Sequence, residues 1–218
     1  MRQVGANQGH DLRMTGNQEL DFWNTRFSEQ SYLFGTEPNA FLSSQRARLR
    51  PGMRALAVAD GEGRNGVWLA KQGLDVLSVD FSPVALKKAD ELAAAAQVTL
   101  KTECVDLATW DWGGPRFDLV AAIFIQFAEP DLRDHIFRKM KEVLVPGGLL
   151  LLEGYGPKQL AHGTGGPQDL NKLYTPALLK ETFSDMDILL LEEYDADLSE
   201  GERHKGMSAV VDLVAQKT

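Results

Sequence analysis

The stretch Arg54-Ala55-Leu56-Ala57-Val58-Ala59-Asp60-Gly61-Glu62-Gly63-Arg64-Asn65-Gly66-Val67-Trp68-Leu69-Ala70 decides the reading of this chain. Ala55 to Ala59 is a short apolar run with the texture of a buried strand. Asp60 to Gly66 holds three glycines at the spacing Gly61-x-Gly63-x-x-Gly66, and Val67 onward opens a helical pattern. Strand, glycine turn and helix in that order bring backbone close to a ligand and aim free N–H groups at it. About 20 residues further on, Val76-Leu77-Ser78-Val79 is a second apolar run, and it ends in Asp80. An acid at that place accepts hydrogen bonds from ribose hydroxyls. The pattern is that of a nucleoside-type cofactor site.

Working outward, the chain has 218 residues, 44% hydrophobic and 25% charged. That suffices for one α/β domain with its own core and argues against disorder or a fibrous protein. No apolar run approaches the roughly 18 residues of a spanning helix, and the N-terminus lacks the apolar region of a signal peptide. Cys104, the one cysteine, gives no disulfide framework and fits a reducing cytoplasm; its apolar neighbours place it in the core. The net charge of −8 weighs against nucleic acid as partner. No membrane contact is expected, and monomer and homodimer both stay open.

Residues 1–16 are polar and aperiodic, including His10 and Met14, and read as a mobile extension before a single domain, residues 17–218. Phe22, Trp23 and Phe27 are spaced as one helical face. Tyr32-Leu33-Phe34-Gly35 is an aromatic loop, and Phe41 to Leu49 is helical up to Pro51-Gly52. These aromatics either pack on the sheet or form a lid over the cofactor. A helix is expected from Asn65 to Gln72, a strand from Asp75 to Val79, and a helix from the Ser82-Pro83 cap to about Gln97. Strand three covers Val98 to Val105, a surface turn holds Trp110 and Trp112, and strand four covers Phe117 to Phe124. A helix from Pro130 shows Leu132, Ile136, Phe137, Met140, Val143 and Leu144 on one face. Val145-Pro146-Gly147-Gly148 stops it. Strand five is Leu149 to Leu152, and Thr175-Pro176 starts a last helix. Strand six, Asp187 to Tyr194, and strand seven, Met207 to Ala215, flank a polar loop, Asp195 to Lys205. Alternating β and α elements give a parallel sheet with right-handed crossovers. The short last connection makes the final two strands antiparallel. The fold class is therefore α/β, a Rossmann-like doubly wound sheet of seven strands with helices on both faces.

The glycine spacing also matches a dinucleotide fingerprint. Against NAD(P) stand the fifty residues before the motif, the want of a second catalytic domain, and the closing hairpin. A third strand-end acid, Asp106, suits an adenine amino group. Taken together, the glycine turn, Asp80, Asp106-Leu107, Phe117-Asp118-Leu119-Val120 and Leu144-Val145-Pro146-Gly147-Gly148 make the chain resemble class I S-adenosylmethionine (SAM)-dependent methyltransferases over roughly residues 54–153. Gly61-Glu62-Gly63-Arg64-Asn65 and the aromatic segment from Phe22-Trp23 through Phe34 resemble the tellurite-resistance and thiopurine group more narrowly.

The resemblance implies SAM as cofactor, S-adenosylhomocysteine (SAH) as product, and a seventh, antiparallel strand. It implies that the backbone about Gly61, Gly63 and Asn65 approaches the methionine moiety, with Trp23 and Tyr32 folded over it. Asp80 takes the ribose, Phe81 flanks the adenine, Asp106 and Leu107 hold the ring, and Ala122, Ile123 and Phe124 line the reacting end. One departure stands out: the family acid falls at Ala59, and the acid here is Asp60, one residue later. Strand periodicity turns Asp60 the other way, which leaves Asp60 and Glu62 as alternatives for the cofactor amine.

Methyl transfer is an in-line displacement that needs alignment more than a protein nucleophile. No residue is an obligatory catalytic group. His204, Tyr32 and Arg133 are candidates, and Gln126, Tyr155, His162 and Tyr174 are further residues above the strand ends. The four histidines have no metal spacing, so no metal is expected. The resemblance implies a small-molecule acceptor methylated on sulfur, selenium, tellurium or nitrogen. An NAD(P)-binding oxidoreductase and a SAM-binding protein without turnover remain the alternatives.

Overall fold

In the computed structural model of the chain, residues 16–218 are described, with side chains from residue 18. The expected extension, residues 1–16, lies outside them except for Gly16, as do His10 and Met14. The elements run α1 (Gly16–Phe27), α2 (Ala40–Ser44), β1 (Arg54–Val58), α3 (Arg64–Lys71), β2 (Asp75–Asp80), α4 (Pro83–Ala95), β3 (Lys101–Cys104), β4 (Phe117–Ile123) and α5 (Pro130–Val143). Then follow β5 (Leu144–Tyr155), α6 (Gln159–His162), α7 (Pro176–Thr182), β6 (Met186–Glu200) and β7 (His204–Lys217).

The seven strands form one sheet in the order β3-β2-β1-β4-β5-β7-β6. The first five are parallel. β7 runs antiparallel to both β5 and β6. After β1 the chain moves outward through β2 and β3, then returns to lay β4 against the other side of β1. Ligands bind at such a switch point, beyond the carboxyl ends of the strands.

Alternation along each strand feeds two cores. Leu56, Val58, Val120, Ala122, Leu150 and Leu152 face Ile136, Phe137 and Met140 of α5. Ala55, Ala57, Leu119, Ala121, Leu149 and Leu151 face Phe41, Leu42 and Leu69 of α2 and α3. Helix starts follow cap chemistry. Ser82 Oγ accepts from Ala85 N at 3.1 Å ahead of Pro83, and Thr175 Oγ1 accepts from Leu178 N at 3.1 Å ahead of Pro176.

The structure corrects several expectations. The loop Asp195 to Lys205 is mostly strand: β6 and β7 pair from Met186↔Lys217 out to Glu200↔His204, leaving only Gly201, Glu202 and Arg203 as the turn. Its acidic residues read as a loop but sit on an edge strand, where charge is tolerated. The third strand is shorter than expected, because it pairs only with Leu77 to Asp80 of its single neighbour. β5 starts at Leu144, with an irregularity between Phe117 and Leu119 of β4 absorbing the Pro-Gly-Gly segment. Phe41 to Leu49 splits into α2 and a 3-10 turn over Gln45–Arg48. Trp112 is no surface residue: it is buried and donates Nε1–H to Leu107 O at 3.3 Å. It covers the sheet where no crossover helix joins β3 to β4. Cys104 is exposed rather than core.

Candidate functional site

The glycine turn leaves the strand one residue earlier than period-2 reasoning assumes. Ala59 adopts φ +48, in the left-handed region. That reorients the next side chain. Asp60 does not turn away; it lines a cavity of about 750 Å³ at the switch point. Its carboxylate accepts from Ser78 Oγ at 2.8 Å and from Gly66 N at 3.1 Å. Gly66 is required there, since a Cβ would lie 2.5 Å from Asp60 Oδ2. Burial pushes the Asp60 pKa up to about 7, against the opposing pull of the Ser78 and Gly66 hydrogen bonds. Gly61, at φ +58, also lines the cavity.

Asp80, at the tip of β2, is buried with its two oxygens on different donors. Oδ2 accepts from Gly61 N and Oδ1 from Ser82 N, each at 2.9 Å. It therefore ties the glycine turn to the start of α4. Burial raises its pKa, offset in part by those N–H groups. Asp106, after β3, is exposed to the cavity and accepts from Ala108 N at 2.9 Å. Three acids from three successive strand tips thus face one side of the space. Trp23, Asn65, Phe81, Leu107, Ile123, Phe124 and His204 are also on its wall, and of the further sequence candidates Gln126 and Tyr155 line it too.

Five candidates lie off that wall. Glu62 turns the opposite way: it accepts from Leu33 N at 2.7 Å and pairs with Lys88. Tyr32 lies over the same lysine, 4.8 Å from Nζ to ring centroid, and donates its hydroxyl to Lys88 O at 3.1 Å. Both fasten the aromatic loop to α4, so Glu62 is not positioned as a substitute for Asp60. Gly63, at φ +84, allows close helix packing, for a Cβ there would meet Ala89 Cβ at 2.5 Å. Ala122 points into the α5 core. Arg133 is spent on Asp134 and on Asn171 O at 2.9 Å. Among the further residues, Gln126 is a strut, donating to Tyr155 O and Lys172 O. Tyr174 is buried beneath Gly154, and His162 faces Asp195 at 3.4 Å.

His204 is the candidate whose setting differs most from expectation. Rather than standing in an exposed loop, it begins β7 and is 9% exposed. Rings of Phe34, Phe124 and Tyr155 surround it, with centroids at 4.6, 4.2 and 5.8 Å. Its Nδ1 lies 4.0 Å from Glu200 Oε2, too far for a hydrogen bond, and has no other partner. Burial lowers its pKa, against the Glu200 charge, so the ring is neutral at pH 7.

Sequence reasoning missed the group that holds Glu200. Arg64 Nη2 meets Glu200 Oε2 at 2.7 Å, and Ala40 N donates to Oε1 at 2.9 Å. Burial alone would raise Glu200, yet His204, Arg64 and the Ala40 N–H outweigh it and bring its pKa down to about 2. At 2.7 Å Arg64 is the firmer anchor. Asn39 links Glu200 at 3.1 Å to Glu153 at 2.6 Å and caps α2 through Leu42 N. Glu153 faces Asp212 across β5 and β7; burial, then the Asp212 charge, raises it well above the usual carboxylate range. Arg64 follows directly on the glycine turn, a charged residue in an apolar helix start, and was the one visible signal.

Residues 55–148 match the family model described as a methyltransferase domain. An uncharacterised protein of Mycobacterium tuberculosis is 31% identical over 121 residues, 53% of this chain. The alignment covers 43% of the length of that curated relative. Among solved structures, the chain is similar to TehB from Haemophilus influenzae, with TM-score 0.68, 17% identity, and coverage of 92% of this chain and 68% of the other. It is equally similar to magnesium protoporphyrin IX methyltransferase from Synechocystis, solved with bound SAH: TM-score 0.68, 16% identity, coverage 92% and 98%. A structure solved in work on thioacetal formation during echinomycin biosynthesis gives TM-score 0.76 at 15% identity, covering 91% of each chain. At these identities the structural likenesses establish the fold. The chain thus carries a methyltransferase-domain match across its glycine turn and first strands, and it resembles class I SAM-dependent methyltransferases throughout its sheet.

Proposed function

We propose that the protein is a SAM-dependent methyltransferase acting on a small molecule. The observation that carries this reading is the trio Asp60, Asp80 and Asp106, set at three successive strand tips around the glycine turn and facing one cavity. SAM is a nucleoside with a cationic amino-acid arm. An acid at each of three heights suits its ammonium, its ribose diol and its adenine amino group. In this assignment Asp60 meets the ammonium, Asp80 the ribose, and Asp106 the adenine edge beside Leu107 and Phe81. Asp80 keeps acceptor capacity beyond the two N–H groups it already binds. Trp23 and Phe27 stack with ring centroids 5.5 Å apart and line the same cavity, where they would cover the cofactor.

When bound, SAM supplies a methyl group already activated on a sulfonium. The chain's own work is alignment and proton removal. Phe124 and His204 stand at the far end of the same cavity. Neutral His204 is suited to take a proton from an acceptor as it becomes methylated. A sulfur, selenium, tellurium or nitrogen nucleophile is the acceptor class we assign, by likeness to the tellurite-resistance group. The acid at each strand tip also favours this reading over NAD(P), whose paired phosphates would face three carboxylates. Titration with SAH tests it: binding in the micromolar range supports the assignment, and no binding at millimolar SAH sinks it.

A further inference from the structure

The wall opposite the three acids is aromatic and basic. Phe34, Phe124 and Tyr155 enclose His204 there, and the Phe124 and Tyr155 rings meet at a tilt of 36° with centroids 4.6 Å apart. Two polar atoms in this wall, Tyr155 OH and His204 Nδ1, are buried without a protein partner. A ligand that bonds to them removes a desolvation cost that the empty wall carries.

At the rim of this wall stand two arginines. Arg26, in the last turn of α1, lies over Phe22 at 4.7 Å and over Trp23 at 5.5 Å. Arg203, in the turn between β6 and β7, is exposed. Among the described residues neither arginine forms an ion pair. Their guanidinium groups are near enough to repel: after burial, the charge of Arg203 is the next cause lowering the Arg26 pKa, ahead of the opposing charge of Glu29. The other two cations lining the cavity are paired, Arg64 with Glu200 and Lys172 with Glu129, while Glu19 lines it as a further carboxylate. Two unpaired cations converging on a cavity mouth are out of keeping with a chain of net charge −8.

The turn that carries Arg203 is fixed in place. Glu202 N donates to Leu33 O at 3.2 Å. Gly201, at φ +70, packs so closely that a Cβ would lie 2.4 Å from the Phe34 carbonyl carbon. The aromatic loop therefore sets the position of Arg203 as well as that of Phe34. Guanidinium forks match planar or tetrahedral oxyanions, and an anion between two of them relieves their repulsion.

We propose that the methyl acceptor is an aromatic-ring compound bearing an anionic group, a carboxylate or phosphate. The oxyanion sits between Arg26 and Arg203, the ring lies against Phe34, Phe124 and Tyr155, and the nucleophilic atom points to His204. This assignment rests on the SAM reading and deepens it. It also makes the cavity complementary at both ends: carboxylates for a cationic donor, guanidinium groups for an anionic acceptor.

The test is calorimetric titration of the SAH-saturated protein with 3-phenylpropionate and phenyl phosphate, each against a neutral counterpart, 3-phenylpropionamide and phenol. At least one acid should bind roughly tenfold tighter than its neutral partner. The acid with the larger advantage tells carboxylate from phosphate. That advantage should disappear in the double variant R26Q/R203Q, whose SAH affinity stays within about twofold because the acids of the other end are untouched. Failure of both acids to bind, equal binding of acids and neutral partners, or survival of the advantage in the double variant overturns the proposal. SAH binding is measured first in the same samples. If SAH fails to bind, the SAM reading falls and this one with it; if SAH binds and the acids do not, this one falls alone.

Discussion

The two ends of the cavity are built in opposite ways. The acidic end comes from three short turns, each directly after a parallel strand: Asp60 after β1, Asp80 at the end of β2, Asp106 after β3. The aromatic and basic end is assembled from Arg26, Phe34, Phe124, Tyr155, Arg203 and His204, scattered over most of the chain. The first end is local, so its geometry follows from strand, glycine and acid spacing. The second depends on hairpin register and on a loop folded back from the N-terminal segment.

The largest effect expected from breaking the acidic end is Asp80→Ala. It removes the acceptor proposed for the ribose and releases Gly61 N and Ser82 N together. SAH affinity should fall roughly 10³-fold, the sum of two charge-assisted hydrogen bonds. Wild-type affinity by calorimetry would remove the ribose assignment.

At the other end, His204→Gln should lower kcat roughly 10²-fold, the scale of one general base, and leave SAH affinity nearly unchanged. The lowered His204 pKa sets the sign of the pH profile. The ring is already neutral at pH 7, so wild-type kcat stays flat on the alkaline side and falls only below the ordinary histidine value. A profile that keeps this acid limb in His204→Gln would assign it to another group.

The third prediction separates the ends by pH. Burial pushes the Asp60 pKa up to about 7. A raised folded-state pKa means that the native state holds a proton the unfolded chain has lost. The stability it contributes is full below about pH 4 and declines as pH climbs toward 7. A ligand ammonium needs the ionised form, so SAH affinity should rise roughly tenfold between pH 6 and 8, with proton release. Titrations in buffers of different ionisation heat measure that release. Asp60→Asn should abolish it, and a pH-independent wild-type affinity would show that Asp60 does not meet the ammonium.

The smallest effect belongs to the cover. Trp23→Ala removes the stack on Phe27 and should weaken SAH by about threefold, the worth of one aromatic contact. A loss as large as that of Asp80→Ala would make α1 part of the cofactor site proper rather than its lid.

The contrast also explains what could be read from the sequence. The alternation of strands and helices, the cap at Ser82-Pro83, the antiparallel β7 and the placement of Asp80 and Asp106 at strand tips all follow from patterns a few residues long. Asp60 was misread because its orientation depends on one left-handed residue, Ala59, a conformation that an alanine does not advertise. Glu62 was misread because its partners, Leu33 and Lys88, come from two distant elements. His204 looked like a loop residue because the acidic run before it conceals strand pairing that only its register with β7 reveals. Arg64, Asn39 and Glu200 escaped notice for the same reason: their meeting is tertiary, and although Arg64 stands in the glycine-turn stretch, its partners do not.

The most direct test of the central claim, that the three strand-tip acids hold a SAM-type nucleoside, is calorimetric titration of the full chain with SAH, with NADH run alongside. The account predicts SAH binding with proton release and no heat from NADH. Binding of NADH alone would contradict it and make the glycine turn a dinucleotide site.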